Sequence, residues 1–540
     1  MRKKFSIFLH ASAVSVMAAA LLIGGCSRVP GTSASTEEST QAPESQETPD
    51  PSGESGSEAP GIPELPGTDT GSEETVFLHP VVEEHLSSIY SEDGSTLLCR
   101  GSSASVSLRE DGYESLKNAL SGYSSQREAA LNRETEALRE AAEEQLAAFP
   151  DEFRPYEVKD SVSICRADQQ VFSFKQVISS NTGGAHSNAG VIGYTFDSQT
   201  GEQLTLEDVA TDPDRLCEYL IGFLKNDERH AQLFEGWEET VRRNVFGETA
   251  DGFPCTLRWT LTADGMNVYF DPYEIGPWSM GTITVPVPCD EEQAGISSRW
   301  APMQEETVWQ LEPSQDLSLD INGDGKEETI RYSQQQAEAT ETVCTLSVNE
   351  QAVEMACGYG ITRGYLMKNT EGAFYFYADC RSDNDYHFLN IVDLSRLEQN
   401  GSGTEPAVSH MAFYDDVPVD SSSFWLSCPG TLFSTFPVRK EFFIGNDGMP
   451  ETRQTEFTVS RWRIVTLQDV NAYTGTSFQE KAVIPEGTEL FVTATDEASC
   501  VTAEAADGTI YRILLDGTQW PRTIDGTDIQ QLFEGLFFAG

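Results

Sequence analysis

The sequence predicts an α+β protein, with an antiparallel sheet and long helices in an N-terminal domain and a mostly β domain after it that ends in a small SH3-like barrel. Three observations predict this class. Apolar residues recur at helical spacing over 112–148, short β-type runs follow along the rest of the chain, and Asp-Gly turns separate several of these runs. We place the folded domains at 76–295, 305–455 and 456–540, sizes that are ordinary for single domains.

One long helix is predicted over 112–148. Its apolar side chains form the stripe that an amphipathic helix buries, and Glu, Arg and Gln fill the positions between them. The stripe consists of Leu116, Leu120, Tyr123, Leu131, Leu138, Ala142 and Leu146. Pro150 ends the helix because proline cannot continue its hydrogen-bond pattern.

Short strands make up most of the remaining N-terminal domain. Runs of β-branched and aromatic residues end at turn residues, which is typical of strands. The predicted strands are Tyr156–Cys165, Val171–Ser179, Gly190–Phe196, Trp259–Leu261, Met266–Phe270 and Thr282–Val287. Asp264 and Gly265 predict a hairpin turn between two of them. Thr205 or Asp208 can cap a helix that runs toward Phe234.

Residues 1–25 have the features of a lipoprotein signal peptide. Basic residues 2–4 precede an apolar stretch that ends at Gly25-Cys26, an order typical of an exported leader rather than a membrane span. The end of this leader resembles the bacterial lipobox, which implies that Cys26 is acylated and becomes the new N-terminus. We therefore expect a lipid anchor in the membrane and folded domains on its outer, extracytoplasmic face. The alternative is a plain signal peptide with an incidental cysteine.

Segment 26–75 is predicted to be a disordered linker. From 27 to 75 there is no aromatic residue and one basic residue, Arg28, while Ser, Thr, Pro, Glu and Gly dominate. Such a segment cannot bury enough apolar surface to offset the entropy of ordering. We expect a flexible stalk between the anchor and the folded domains.

The chain is strongly acidic, with a formal net charge of −52. Removal of a leader that carries three basic and no acidic residues brings this charge to −55. Nucleic acid is excluded as an expected partner, because phosphate binding needs clustered Lys and Arg. Two interpretations stay open: general solubility, or long-range attraction of cationic ligands such as basic proteins.

The chain has 11 cysteines, of which ten remain if Cys26 is acylated. They form no CxxC motif and no metal-like pairing with the seven histidines. An even number in an exported protein allows disulfides, but their connectivity cannot be derived from the sequence. Several cysteines can instead be free buried thiols.

Three separate motifs in the N-terminal domain carry a resemblance to a known family. They are GGAHSN at 183–188, YTFD with TG and LTLED between 194 and 208, and LTADGMNVYFDPYEIGPWSMG at 261–281. In order and spacing the set resembles the extracellular domain of RsiV-type lysozyme-sensing anti-sigma factors, which also precedes the catalytic module of PdaC-type peptidoglycan deacetylases. The resemblance covers roughly 85–295 and implies a binding domain, with strongly cationic lysozyme as its ligand in the anti-sigma factors. We expect neither a sigma-factor-binding segment nor a deacetylase module in this chain.

His186, Tyr273 and Trp278 are the candidate ligand-binding residues of this domain. The histidine lies in a glycine-rich loop, and no base or nucleophile can be named as its catalytic partner, so no catalytic residue is predicted. The two aromatic residues can form a contact surface. The alternatives are a glycine turn that precedes a strand, for His186, and a loop that caps the core, for the aromatic pair.

The sharpest motif of the second half is Asp320-Ile-Asn-Gly-Asp-Gly-Lys-Glu-Glu328. Oxygen donors alternate at positions one, three and five, a glycine permits the tight turn, and an acidic residue at position nine can close the shell around Ca²⁺. The loop resembles those of FG-GAP β-repeat proteins, and the predicted ligands are Asp320, Asn322, Asp324, the carbonyl of Lys326, and Glu328. The alternative is a polar hairpin turn without metal.

Short β-type runs continue to the C-terminus, at Val343–Val348, Gly364–Met367, Ala373–Tyr377 and Phe388–Val392. A Pro-x-Gly turn near 485 and an Asp-Gly hairpin at 507–508 favour the small SH3-like barrel. This half resembles the C-terminal regions of clostridial surface lipoproteins to which no chemistry is assigned.

Taken together, these features favour a non-catalytic surface lipoprotein that binds an envelope-related ligand, either a lysozyme-like cationic protein or peptidoglycan. A peptidoglycan-active enzyme or its accessory subunit is the alternative, and a purely structural surface protein is a third. An enzyme is expected to present a cleft with coupled titratable groups, whereas a binding protein presents an exposed apolar or charged patch.

Overall fold

A five-stranded sheet begins the computed structural model, which describes residues 77–540 except 185–186, 228, 248, 251–252, 303–304, 339–340, 384–385, 398–406, 476–477, 479, 518 and 539–540. The predicted leader, Cys26 and the linker lie outside these residues. The strands follow chain order in the sheet: β1 (Pro80–Tyr90), β2 (Leu97–Leu108), β3 (Tyr156–Ala167), β4 (Val171–Asn181) and β5 (Asn188–Asp197). Neighbouring strands are antiparallel except β2 and β3, which are parallel because a helical crossover joins them.

The crossover is the predicted long helix, divided into α1 (Glu114–Ala137) and α2 (Arg139–Ala148). Its predicted apolar stripe faces the sheet, and Leu116, Leu120 and Leu131 are almost completely buried. A close approach fixes this packing, because a Cβ atom on Gly101 of β2 would lie 2.7 Å from Thr135 Oγ1 of α1. A side chain at this position would push the helix away from the sheet.

A second layer contains three helices and a small sheet. The helices are α3 (Leu206–Val209), α4 (Pro213–Asn226) and α5 (Trp237–Phe246). The sheet has the order β10-β9-β8 and consists of β8 (Arg258–Leu261), β9 (Met266–Phe270) and β10 (Ile283–Val287). A separate two-stranded pair is formed by β6 (Thr249–Ala250) and β7 (Phe253–Pro254). Thr205 caps α3 in a capping box with Asp208, and Asp212 caps α4. The predicted cap at Thr205 is therefore confirmed, but the predicted helix toward Phe234 is interrupted, because α3 ends at Val209 and α4 begins at Pro213.

The two N-terminal sheets touch where β5 meets β8. A Cβ atom on Gly193 would lie 1.8 Å from the carbonyl oxygen of Trp259, so only glycine permits this contact. Val268, Phe270 and Val285 of the small sheet are buried in one core with Leu216 and Leu220 of α4.

Two antiparallel sheets follow. The first sheet has the order β11-β16-β17-β18-β19 and consists of β11 (Val308–Leu311), β16 (Gly360–Lys368), β17 (Phe374–Arg381), β18 (His387–Asp393) and β19 (Val408–Ser409). The second sheet follows chain order and consists of β12 (Leu317–Leu319), β13 (Glu328–Glu338), β14 (Glu341–Val348) and β15 (Gln351–Ala356). The runs predicted between 343 and 392 are therefore strands. They alternate buried and partly exposed positions in β14, as a sheet with one covered face requires.

The C-terminal strands form one ten-stranded sheet, and the predicted SH3-like barrel is wrong: the described residues contain no closed barrel. The main order is β20-β21-β23-β26-β27-β28-β24-β25, with β22 paired to β21 and β31 to β23. The strands are β20 (Phe424–Pro429), β21 (Pro437–Ile444), β22 (Pro450–Glu451), β23 (Phe457–Thr466), β24 (Val470–Thr474), β25 (Glu480–Ile484), β26 (Glu489–Thr495), β27 (Cys500–Ala505), β28 (Ile510–Leu514) and β31 (Phe533–Glu534). β29 (Thr523–Ile524) pairs with β30 (Thr527–Asp528), and α6 (Ile529–Leu532) follows.

One hydrophobic core joins the N-terminal sheet to the strands beyond 305. Phe172 and Phe174 of β4 lie in the same cluster of buried residues as Tyr365 of β16, Phe413 and Phe424. The Arg109–Asp416 ion pair, at 2.7 Å, crosses the same boundary. Strands account for 45% of the described residues and helices for 18%, so this part of the protein is mostly β within a broad α+β class. Among the described residues, no helix has the length and apolar character needed to cross a membrane.

Candidate functional site

The loop between β9 and β10 carries two of the three predicted ligand-binding residues on the surface. Tyr273 is 57% exposed and Trp278 is 41% exposed. Phe234, 40% exposed, is held beside the loop because its backbone N–H donates a 2.9 Å hydrogen bond to the carbonyl of Ile275. We call Phe234, Tyr273 and Trp278 the aromatic patch. Exposed aromatic residues around one loop are a feature of ligand-contact surfaces.

The patch loop has a tightly defined backbone. Tyr273 has a left-handed conformation, with φ of 71°, and its N–H donates to the carbonyl of Gly276 at 3.0 Å. A 3₁₀ turn at Trp278–Met280 follows. A Cβ atom on Gly276 would lie 2.6 Å from the Met280 sulfur, so a larger residue here would displace the methionine side chain that packs under the turn. A non-glycine residue in the left-handed region costs about 1–3 kcal/mol, so the surrounding structure must enforce it at Tyr273.

A cluster of charged and polar side chains lies under the loop and supplies that enforcement. Arg258 of β8 contacts Glu274 at 2.8 Å and Asp271 at 3.3 Å. Asn244 of α5 donates to Glu274 at 2.5 Å, and the backbone N–H of Asp271 donates to the same carboxylate at 2.8 Å. We call Asn244, Arg258, Asp271 and Glu274 the loop clamp. It connects the loop to both a helix and a strand.

Burial shapes the electrostatics of the loop clamp. It raises the pKa of Asp271, while Arg258 and the amide of Val191 act in the opposite direction. Burial also disfavours the charged guanidinium, but Glu274 and Asp271 outweigh it and raise the pKa of Arg258. The clamp thus places one cation between two carboxylates. Charge-assisted contacts among these three side chains hold the loop in position.

The loop clamp also reaches the end of the β4–β5 hairpin. The Asp271 carboxylate accepts a 2.8 Å hydrogen bond from the backbone N–H of Val191, and a Cβ atom on Gly190 would lie 3.4 Å from the same carboxylate. His186 itself lies outside the described residues. The structure therefore brings the start of β5, just after the 183–188 motif, to the 261–281 motif.

Sequence reasoning missed the supporting residues. Arg258 lies just before the predicted strand Trp259–Leu261, and Asn244 lies on α5, a helix that the sequence analysis did not predict. Phe234 was only the expected end point of a helix. Asp271 and Glu274 belonged to the quoted motif, and their spacing of three residues is the one signal that could have indicated a joint role.

The predicted calcium loop is exposed and held by its own backbone. The Asp320 carboxylate accepts hydrogen bonds from the amides of Gly323 and Gly325, at 2.7 and 2.8 Å, which lower its pKa. Asn322 donates to Glu328 at 2.8 Å. Oxygen donors of the kind that Ca²⁺ prefers are thus close together. However, no group of three or more His, Cys, Asp or Glu side chains in the described ranges is arranged to hold a metal ion, and Ca²⁺ here stays a prediction.

All ten cysteines after Cys26 are free thiols in the structure. Cys344, Cys357 and Cys380 are completely buried together, and the Asn390 amide lies 4.0 and 3.8 Å from the sulfurs of the last two. Hydrogen bonds from the neighbouring Cys344 and Cys380 thiols favour the Cys357 thiolate and lower its pKa.

The comparisons with known proteins identify part of this region. Residues 208–290 match a family described as a protein of unknown function, DUF3298, and form a DUF3298 domain that extends from the end of α3 past β10. The chain is also similar to solved structures of a DUF3298 family member from Bacteroides fragilis NCTC 9343 and of a DUF3298 family protein from Pseudomonas aeruginosa PAO1. Each match covers 42% of this chain at 17% sequence identity. The match covers 96% of the B. fragilis chain with a TM-score of 0.31, and 98% of the P. aeruginosa chain with a TM-score of 0.27. No curated protein matches the chain.

Proposed function

We propose that this protein is a non-catalytic, extracytoplasmic lipoprotein that is anchored through Cys26 and binds an envelope-related ligand through the aromatic patch. The first ligand to test is a cationic protein, c-type lysozyme. One observation carries the proposal: Tyr273 and Trp278 are exposed on a loop that the loop clamp fixes from below. The resemblance of the surrounding motifs to the extracellular domain of RsiV-type anti-sigma factors supports the choice of lysozyme.

A rigid aromatic pair is suited to binding a protein surface. Tyrosine and tryptophan are enriched among the residues that dominate protein–protein affinity, because they bury a large area while losing little side-chain freedom. A loop that is already ordered before binding avoids much of the entropic cost of association. The left-handed Tyr273 and the hydrogen bonds of the loop clamp provide this order.

Charge contributes mainly to the rate of association. A net charge of −52 attracts a basic protein at long range, but surface fields are screened beyond about 8–10 Å at physiological ionic strength. Packed aromatic contacts are much less sensitive to salt. A specific site should therefore keep much of its affinity as the salt concentration rises.

Within the described part of this site, the titratable groups are engaged with each other. Arg258 contacts both carboxylates of the loop clamp, and Glu274 also accepts from Asn244. Groups committed in this way position a loop rather than act on a substrate, which favours a binding function over the enzyme alternative.

Calorimetry of residues 27–540 with c-type lysozyme at low and high salt tests the proposal. We expect saturable binding that persists at high salt, and much weaker binding of an unrelated protein of equal positive charge. Soluble peptidoglycan fragments form a second arm, because peptidoglycan is the other envelope ligand considered. Binding that vanishes at moderate salt and is reproduced by any basic protein would reduce the interaction to nonspecific attraction and refute the proposal.

A further inference from the structure

A separate cleft of about 680 Å³ lies between the N-terminal sheets and the strands that follow residue 305. It is bordered by β3 and β4, by β9 and β10, and by β11 and β12. Its volume falls within the range of about 300–1,000 Å³ that is common for small-molecule sites. None of its lining residues belongs to the aromatic patch.

Three carboxylates that line the cleft lack a cationic partner. In the described ranges, no Lys, Arg or His nitrogen forms an ion pair with Asp264, Glu306 or Glu312. Among the described residues, Glu312 accepts hydrogen bonds from two neutral donors, Ser163 at 3.1 Å and Gln310 at 3.4 Å. Unpaired carboxylates in a concave surface favour the binding of a cation, and the Glu306 carboxyl adds its charge when a bound cation displaces its proton.

The two basic residues that line the cleft do not neutralise these carboxylates. Arg166 is buried and pairs with Asp168 at 2.7 Å. The ammonium group of Lys175 lies 5.9 Å from the centre of the Tyr269 ring. Glu305 at the rim differs from the three carboxylates, because it contacts Lys368 at 3.4 Å.

Two further features indicate a site that is prepared for a ligand. Tyr365 lines the cleft and is 1% exposed; Arg363 lies beside its hydroxyl, but among the described residues the hydroxyl makes no hydrogen bond of ordinary geometry. A buried hydroxyl without a hydrogen bond is unfavourable unless a ligand or water molecule forms one with it. Glu306 is held beside Asp264 and Trp309, and burial together with the neighbouring carboxylate raises its pKa well above the usual range.

We propose that this cleft binds a small organic cation, a primary ammonium group on an apolar chain. Glu306 and Asp264 would contact the charge, and the Trp309 ring would cover the chain by apolar and cation–π contact. The Tyr365 hydroxyl supplies a further polar contact at the wall. The same ammonium group occurs in free alkyl amines and in lysine side chains of peptides. The proposal is independent of the proposed function, because the two sites share no residue.

Isothermal titration of residues 27–540 at pH 8 with 1,5-diaminopentane and with the blocked peptide acetyl-Gly-Lys-Gly-amide tests this inference and separates the two sources. Saturable binding of either amine supports the proposal, and the tighter ligand identifies the source. The neutral isostere 1,5-pentanediol is expected not to bind. Failure of both amines to bind, or equal binding of the diol, would overturn the proposal.

Matched variants locate the site. Glu306→Gln preserves shape and should weaken amine binding by about tenfold or more, because it removes a desolvated charge contact. Glu305→Gln, at the rim and already paired with Lys368, should leave the affinity within about twofold. Tyr365→Phe tests the buried hydroxyl and should cause a smaller loss than Glu306→Gln. Unchanged affinity in Glu306→Gln, with an unfolding midpoint at least equal to that of the parent, would show that the amine binds elsewhere.

Discussion

The Asp271 carboxylate accepts a 2.8 Å hydrogen bond from the backbone N–H of Val191, a residue 80 positions earlier in the chain. This contact ties the loop that presents Tyr273 and Trp278 to the start of β5, where the 183–188 motif ends. Because Asp271 also contacts Arg258, one carboxylate links the hairpin, the small sheet and the patch loop. The position of the aromatic patch therefore depends on segments that lie far apart in the sequence.

The first prediction concerns Arg258. Arg258→Met should lower the free energy of unfolding by about 2 kcal/mol, because two largely buried carboxylates lose their shared cation. Urea unfolding measures the change. Arg331→Met is the control: its exposed pair with Asp316, at 3.5 Å, should contribute at most about 0.5 kcal/mol. Equal effects of the two substitutions would contradict the structural role of the loop clamp.

The second prediction concerns pH and Glu306. Its folded-state pKa is raised from an ordinary value of 4.5, so the folded protein retains a proton that the unfolded chain releases. Stability from this group is present below the unfolded pKa and is lost as pH rises through the folded pKa. Glu306→Gln mimics the protonated form and should raise the urea midpoint at pH 8 but not at pH 4. A variant that is no more stable than its parent at pH 8 would contradict the assignment.

How far the sequence predicts this fold depends on how local each interaction is. The strand Met266–Phe270 has the same bounds in prediction and structure, because the Asp-Gly turn just before it fixes its start locally. The SH3-like barrel was wrong for the opposite reason. β23 pairs with β21, β26 and β31, and turn chemistry does not specify such distant partners.

The candidate site was likewise predicted only in its local part, the aromatic loop. Tyr273 and Trp278 are exposed on a loop whose aromatic residues, glycines and proline are recognisable in the sequence, and their role as contact residues stays a prediction. The loop clamp was not predicted. Asn244 and Arg258 come from different elements, and only the packing of α5 against β8 and the loop brings them to Glu274.

The third prediction concerns calcium. Ca²⁺ should raise the melting temperature by mass action if Asp320, Asn322, Asp324 and Glu328 bind it. Asp324→Ala should remove this gain, whereas Glu350→Ala, an exposed acidic residue outside the loop, should retain it. Differential scanning fluorimetry with and without Ca²⁺ gives the comparison. The same calcium response in Asp324→Ala and its parent would exclude the loop as the site.

The fourth prediction concerns the anchor. Cys26→Ala should give a protein that incorporates no fatty-acid probe and is released into the medium, since the lipobox-like sequence predicts acylation at this thiol. Metabolic labelling followed by membrane fractionation provides the measurement, and Cys99→Ala is a control that should stay labelled. Continued labelling and membrane retention of Cys26→Ala would place the anchor elsewhere.

Calorimetry of Tyr273→Ala/Trp278→Ala with c-type lysozyme at physiological salt, beside the parent protein, tests the aromatic patch most directly. We expect the parent to bind and the double variant to bind about 30-fold or more weakly, because two exposed aromatic contacts are removed. Trp520→Ala, which removes a 57% exposed tryptophan outside the patch, should bind like the parent. Absence of binding by the parent, or equal affinity of parent and double variant, would contradict the assignment of the aromatic patch as the binding site for this ligand.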